Sequence, residues 1–113
     1  WEWGLEDGGR LPTSYRDRAV ERAGGNRTEL ACRYAGRDVY YLNGGDDTEP
    51  LVSSCEPDDF QGRNRRERGA LFFASLRMLF GRPVHRRAVV GSVGHDHSLM
   101  FESPEGLRAI FGE

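Results

Sequence analysis

The chain of 113 residues is long enough for one small domain with a modest hydrophobic core. Its 16 basic residues are all arginine and its 18 acidic residues leave a net charge of −2, so the overall charge gives no reason to expect nucleic acid or an anionic membrane as a partner. Mean hydropathy is −0.67 and no apolar run is long enough to cross a bilayer, which argues against an integral membrane protein.

The first half of the chain predicts one helix, one strand and a long loop. Residues 15–23 follow the N-cap pair Thr13-Ser14 and stop at two glycines, which is typical of a short helix. Residues 38–42 are β-branched and aromatic and lead into Asn43-Gly44-Gly45, so we expect a buried strand that ends there. Turn-forming residues continue to residue 62, and a loop of this length is more often functional than not.

The second half predicts a helix, a strand, a loop and a final helix. Apolar residues recur at helical spacing within residues 64–80. The apolar run over residues 84–90 predicts a second strand, and residues 91–101 predict a loop. Ser103-Pro104-Glu105 supplies the N-cap, the first-turn proline and the first-turn acid of a final helix that ends at Gly112.

The order of strand, helix and strand predicts an α/β fold. We expect parallel strands near residues 38–42 and 85–90, joined by a crossover helix within residues 63–81. The carboxyl ends of parallel strands lie at one edge of a sheet, so the loops after both strands should meet there. Two parallel strands are rarely stable alone, so we also expect apolar side chains of the strands and of the crossover helix to be left uncovered.

Asp47 in the first loop and His95 in the second are the candidate acid and base of a catalytic site. An imidazole that acts as a general base needs a carboxylate on its other ring nitrogen, which fixes the tautomer and stabilises the imidazolium. We therefore expect Asp47 within hydrogen-bond distance of His95, with the second ring nitrogen open and with Asp46 and His97 pointing elsewhere. The alternative is that the acidic pair only forms a turn and that His95 is an ordinary loop histidine.

Two further motifs have alternative interpretations. In an extended segment, His95 and His97 would face the same side and could share a metal ion, with Asp47 as one source of a third ligand. Residues 63–68 contain four arginines and resemble a basic patch for nucleic acid. No aromatic residue interleaves them and acidic residues surround them, which favours a solvated face or an ion-pair network.

The nucleophile and the cysteines complete the candidate list. No serine of the chain lies in a Gly-x-Ser-x-Gly motif. The closest segment is Val90-Gly91-Ser92-Val93-Gly94, in which valine replaces the first glycine and Ser92 is too near His95 along the chain to form a strand-to-helix elbow.

Cys32 and Cys55 form no CxxC motif, which favours buried free thiols, and a single disulfide between them is the alternative.

Many of these residues, in this order, resemble the C-terminal half of serine hydrolases of the α/β-hydrolase fold. The resemblance covers most of the chain and consists of several ordered motifs. In chain order they are Trp1 with Gly4-Leu5, residues 37–42, Asp47-Thr48, Cys55, residues 61–65, Arg68, residues 93–96, Met100-Phe101 and Ser103.

The resemblance implies that Asp47 is the acid and His95 the base of a Ser…Asp…His triad. It implies that residues 1–113 are the C-terminal part of a single α/β-hydrolase domain, inactive alone because the nucleophilic serine and the oxyanion-hole donors would precede residue 1. The implied substrate is a small-molecule ester or amide, and no cofactor is implied. The open sheet edge would be covered by the missing N-terminal half or by a partner chain. The rival interpretation is a non-catalytic binding or interaction domain with a half-hydrolase fold.

Overall fold

The structure, a computed structural model, describes residues 27–51 and 62–112. Over these residues the chain is an α/β unit with four helices and a parallel sheet of two strands. The helix predicted over residues 15–23 lies outside the described residues. None of the described helices is long and apolar enough to cross a membrane. In chain order the elements are helix α1 (Arg27–Ala35), strand β1 (Tyr40–Gly44), helix α2 (Arg65–Phe80), strand β2 (Arg86–Val90), helix α3 (His97–Glu102) and helix α4 (Pro104–Phe111).

Strands β1 and β2 are hydrogen-bonded neighbours and run parallel, which confirms the predicted pairing. Tyr40 is paired with Arg86 at the start of the ladder, and Gly44 with Val90 at its end. Helix α2 connects the two strands and contacts β1, so it forms the predicted crossover. Strand β1 begins and ends two residues later than predicted, because the ladder continues through Asn43 and Gly44 before the chain turns.

A close backbone approach seats α2 on β1. A side-chain carbon on Gly69 of α2 would meet the end of the Asn43 side chain, so the absence of a side chain at Gly69 leaves room for Asn43 between α2 and β1. One helical turn further on, the Phe72 ring meets the Tyr41 ring edge-on, with 5.9 Å between centroids. Leu76 is 1% exposed and lies in the small core. These contacts fix the first turn of α2 close to the end of β1.

Local signals in the sequence explain where α2 and α4 begin and end. The Asn64 side chain accepts a hydrogen bond from the backbone N–H of Glu67 at 2.9 Å and caps α2. Ser103 caps α4 in the same way, as predicted. Both helices end at a glycine in the left-handed region, Gly81 with φ 65° and Gly112 with φ 77°.

Helices α1 and α3 are not among the predicted elements. The spacing of Asn26 and Glu29, a cap residue followed three positions later by an acid, is a usable signal for the start of α1. Residues 91–101 were expected to form a loop, and this prediction is wrong from His97 onward. Helix α3 begins there because the Asp96 side chain accepts a hydrogen bond from the backbone N–H of Leu99 at 3.0 Å.

A closed set of hydrogen bonds joins α1 to the sheet. Buried His85, just before β2, donates from Nε2 to the backbone carbonyl of Tyr34 in α1, at 2.9 Å. Its Nδ1 therefore accepts from the Tyr41 hydroxyl of β1, at 3.0 Å. The Tyr34 hydroxyl in turn bonds to the Tyr41 hydroxyl. Both nitrogens of His85 are thus engaged in fixing α1 against β1.

The Tyr41 phenol makes the fold sensitive to alkali. Burial raises the pKa of Tyr41, and the Tyr34 hydroxyl beside it raises that pKa further. An acid whose pKa is raised by folding stabilises the folded state below its unfolded pKa, about 10, and loses this contribution at higher pH. We therefore expect the free energy of unfolding, from urea titrations, to begin to fall as the pH passes about 10 and to keep falling at higher pH. The fall should be shallower in Tyr41→Phe.

Tyr40→Phe is the matched control for this prediction. Tyr40 neighbours Tyr41 in β1, and its ring contacts the Arg86 guanidinium at 5.1 Å to the centroid. This variant should keep the dependence on pH of the original chain. An equally steep fall in Tyr41→Phe would show that another group causes the loss of stability.

Few large apolar side chains are buried among the described residues. Leu76, Val90 and Met100 form this small core. Exposed large apolar side chains are found on α2, β2, α3 and α4, as expected for α2 and the strand residue Val89. They are Leu71, Met78, Leu79, Val89, Leu99, Phe101, Leu107, Ile110 and Phe111. Tyr40 and Leu42 of β1 are half-buried.

Cys32 differs from its prediction in one respect. It is a free cysteine, but it is exposed on α1, so the expected burial of this thiol is wrong. The exposure of Cys32 could not be predicted from the sequence, because it depends on the position of α1. Cys55 lies outside the described residues.

Candidate active site

The loops that follow β1 and β2 are held together by their backbones at the carboxyl edge of the sheet. The N–H of Gly45 donates to the carbonyl of Val90 at 2.7 Å, and the N–H of Asp46 donates to the carbonyl of Val93 at 2.9 Å. A side-chain carbon on buried Gly44 would lie 2.5 Å from the carbonyl oxygen of Val93 and would collide with that of Gly94. The two loops are therefore in direct contact before any side chain is considered.

Asp47 and His95 are hydrogen-bonded across these loops, within the predicted distance. His95 Nδ1 lies 3.0 Å from Asp47 Oδ2. The ionised carboxylate can only accept, so Nδ1 carries the hydrogen and Nε2 of the neutral ring is left as the acceptor. No hydrogen bond to Nε2 is formed within the described parts of the chain, and the His95 side chain is 48% exposed. This is the tautomer and the accessibility that a general base requires.

Asp47 is buried next to the first turn of α2. Asp47 is 5% exposed. Its backbone carbonyl accepts from the N–H of Arg66 at 3.2 Å, and Arg66 Nη1 donates to the carbonyl of Gly45 at 3.0 Å. Arg65 Nη1 lies 3.7 Å from Asp47 Oδ1. Arg65 therefore places a positive charge within ion-pair distance of the buried carboxylate.

Three of the four arginines of residues 63–68 make contacts within the protein through their side chains. In addition to the contacts of Arg65 and Arg66, Arg68 Nε donates to the carbonyl of Gly62 at 2.9 Å. Half-buried Arg87 of β2 donates from Nε to Asn43 at 2.8 Å. Burial lowers the pKa of Arg87, and the positive charge of Arg66 lowers it further. These contacts favour the ion-pair interpretation of residues 63–68. The pairing of Arg65 with Asp47 could not be read from spacing alone, because it depends on where α2 begins.

The two near neighbours of the pair behave differently from each other. Asp46 is exposed, and its carboxylate forms no hydrogen bond or ion pair in the described ranges, as expected. His97 was expected to point elsewhere, and this is wrong. Its ring packs against the His95 ring with 5.0 Å between centroids, because α3 begins at His97 and turns the segment back. His95 therefore has Asp47 on one nitrogen and the His97 ring at its side.

The alternative interpretation, in which His95 and His97 share a metal ion, requires an extended segment from His95 to His97. In the structure this segment instead enters α3, and Asp96 is engaged as the helix cap. Among residues 27–51 and 62–112, no group of three or more histidine, cysteine, aspartate or glutamate side chains could hold a metal ion together.

Ser92 is the serine closest to a nucleophile motif, and its backbone is unusual. It has φ 57°, in the left-handed region that favours glycine, and it is exposed. Within the described residues, no hydrogen bond joins its hydroxyl to His95. The strained backbone marks the tight turn that leads from β2 to the His95 loop.

Comparison with known proteins adds no relative to these observations. No protein-family model matches the chain, and neither the search of curated proteins nor the search of solved structures found a match. The function is therefore inferred from the geometry of the site and from the resemblance of its motifs.

Proposed function

We propose that this chain supplies the acid and the base of a serine hydrolase of the α/β-hydrolase fold, acting on ester or amide bonds by acyl transfer. The observation that carries the proposal is the 3.0 Å contact from Asp47 Oδ2 to His95 Nδ1, with the carboxylate buried and Nε2 open. Its location supports the same function, because the pair lies at the carboxyl ends of parallel strands, with the acid loop before the histidine loop.

Each group has one role in the proposed reaction. His95 Nε2 accepts the proton of the attacking hydroxyl as its oxygen bonds to the acyl carbon, and later returns that proton to the leaving oxygen or nitrogen. Asp47 holds the Nδ1 hydrogen and stabilises the imidazolium formed between these steps. The hydroxyl belongs to a Gly-x-Ser-x-Gly elbow, which residues 1–113 do not contain. An N-terminal half of the domain or a partner chain provides it.

The exposed apolar surface agrees with this assignment. Leu71 and Leu79 of α2 and Val89 of β2 are exposed beside a sheet of two strands. Parallel sheets are normally larger and covered on both faces, so a complete hydrolase domain would bury these side chains. A binding domain with a half-hydrolase fold would also use them, so reactivity must separate the two functions.

A fluorophosphonate probe tests for an activated serine directly. We expect the full-length gene product to be labelled at a serine outside residues 1–113, and we expect His95→Gln to lower the labelling rate by about 100-fold or more, because the base is lost. The rate is measured by gel fluorescence and the labelled residue by mass spectrometry.

Ser92→Ala is the control for this experiment. Ser92 lies in the same loop as His95 but makes no hydrogen bond to it among the described residues, so the variant should be labelled at the original rate. Loss of labelling in Ser92→Ala would identify Ser92 as the nucleophile and overturn the assignment. Absence of labelling in the original protein would favour the non-catalytic binding domain.

A further inference from the structure

Within the described residues, one oxygen of the Asp47 carboxylate has no hydrogen bond. Oδ2 accepts from His95, but Oδ1 is fully buried and accepts no hydrogen bond from residues 27–51 or 62–112. A buried charged oxygen without a partner is costly, because the protein interior replaces water poorly. An opposite charge close by is the usual compensation for such an oxygen.

Arg65 is the cation that faces this oxygen. Its Nη1 lies 3.7 Å from Oδ1, which is within ion-pair distance but too long for a hydrogen bond. Arg65 is the first residue of α2, and the next N–H of the helix, from Arg66, donates to the Asp47 backbone at 3.2 Å. The guanidinium and the amino end of the helix thus approach Asp47 from the same element.

We propose that Arg65 is the counter-ion of Asp47 and a positioning residue for the acid–base pair, because its guanidinium compensates the charge of the buried carboxylate that His95 also contacts. The proposal rests on the proposed function for its catalytic meaning, but the charge coupling is a property of the chain itself. Arg65 touches neither His95 nor a reacting atom, and acts only through Asp47.

Removal of Arg65 should affect His95 because both residues interact with the single negative charge of Asp47. With Arg65 present, the charge of Asp47 is partly compensated, so it attracts a proton on His95 less strongly. Without Arg65, the whole carboxylate charge acts on the imidazole, and His95 holds its proton to a higher pH. A base that is protonated at neutral pH cannot accept the proton of the attacking hydroxyl.

The other groups around His95 do not replace Arg65. Asp47 from the β1 loop bonds to Nδ1, and the His97 ring of α3 lies at 5.0 Å. Asp96 is next in sequence, but its carboxylate caps α3. Arginine keeps its positive charge throughout the physiological range of pH, so Arg65 is the constant positive charge next to Asp47.

The test is an NMR titration of the His95 ring in the full-length gene product, which reads the ring itself and needs no turnover. Arg65→Gln should raise the midpoint of this titration by about half a pH unit. Arg65→Lys should return it towards the original value, because at 3.7 Å the interaction depends on charge rather than on a hydrogen bond. Arg65 is 45% exposed, so these variants are expected to fold.

Arg63→Gln is the matched control, since it removes the same charge from the same segment. The structure engages Arg63 through its backbone, whose N–H donates to Glu67 at 2.8 Å. This variant should leave the midpoint unchanged. Equal midpoints in Arg65→Gln and the original chain, or equal shifts in Arg63→Gln and Arg65→Gln, would overturn the proposal.

The proposal and the proposed function fail in different ways. In the full-length gene product, Arg65→Gln should move the acid limb of the pH–rate profile for ester hydrolysis in the same direction as the NMR midpoint. A shifted midpoint without any hydrolysis upholds the counter-ion and refutes the hydrolase. Hydrolysis that depends on His95, together with an NMR midpoint that Arg65→Gln does not change, upholds the hydrolase and refutes the counter-ion.

Discussion

Asp47→Asn is expected to lower kcat for ester hydrolysis by the full-length gene product by about 10³- to 10⁴-fold. The neutral amide cannot stabilise an imidazolium on His95. It can also donate to Nδ1, which moves the ring hydrogen to Nε2 and leaves no acceptor towards the nucleophile. The buried position of Asp47 makes this replacement especially sensitive, because little water is present to compensate. Steady-state kinetics with a chromogenic short-chain ester gives the value.

Asp46→Asn is the control for this prediction. Asp46 precedes Asp47 in the same turn and loses the same charge, but it is exposed and forms no side-chain hydrogen bond within the described residues. The kcat of Asp46→Asn should stay within about twofold of the original value, because substitutions of exposed residues outside a site usually have small effects. If Asp46→Asn were the inactive variant and Asp47→Asn the active one, Asp47 could not be the acid.

Gly44→Ala is expected to destabilise the protein by about 1 to 3 kcal/mol. The added carbon would collide with the backbone carbonyls of Val93 and Gly94, which are not flexible side-chain atoms and cannot move away alone. The His95 loop must then separate from the β1 loop, so the contact between Asp47 and His95 should be lost as well. Urea unfolding measures the first effect, and the NMR shift of the His95 Nδ1 hydrogen reports the second.

Gly91→Ala provides the comparison for Gly44→Ala. Gly91 follows β2 at the same edge of the sheet, but a side-chain carbon there has no atom within 4 Å. The free energy of unfolding of Gly91→Ala should differ from that of the original protein by about 0.5 kcal/mol or less. Similar stabilities for Gly44→Ala and Gly91→Ala would mean that the loops can adapt and that Gly44 does not determine their approach.

The strand–helix–strand unit was predictable because each element has a strong local signal. Residues 65–80 carry helical spacing between a capping asparagine and a left-handed glycine, and the flanking runs are β-branched and aromatic. Once these elements are parallel neighbours, Asp47 and His95 must leave from the same edge. The candidate pair therefore follows from topology, although the two residues lie 48 positions apart.

Other features depend on contacts that are distant in sequence. Helix α3 has only six residues, so its apolar spacing is too short to stand out, and the cap at Asp96 becomes evident once the chain turns there. The ring contact between His95 and His97 follows from that turn. The approach of Arg65 to Asp47 requires the first turn of α2 to lie beside the β1 loop, which the close contact of Gly69 with Asn43 arranges.

The distance between the acid and base loops is set by the main chain. Their anchors are the bonds from Gly45 N–H to the Val90 carbonyl and from Asp46 N–H to the Val93 carbonyl, together with the bare α-carbon of Gly44. The exposed side chains of the same loops, Asp46, Thr48 and Ser92, are not needed for this alignment. Mutations at those three positions can therefore diversify the rim around the pair during evolution without dismantling its alignment.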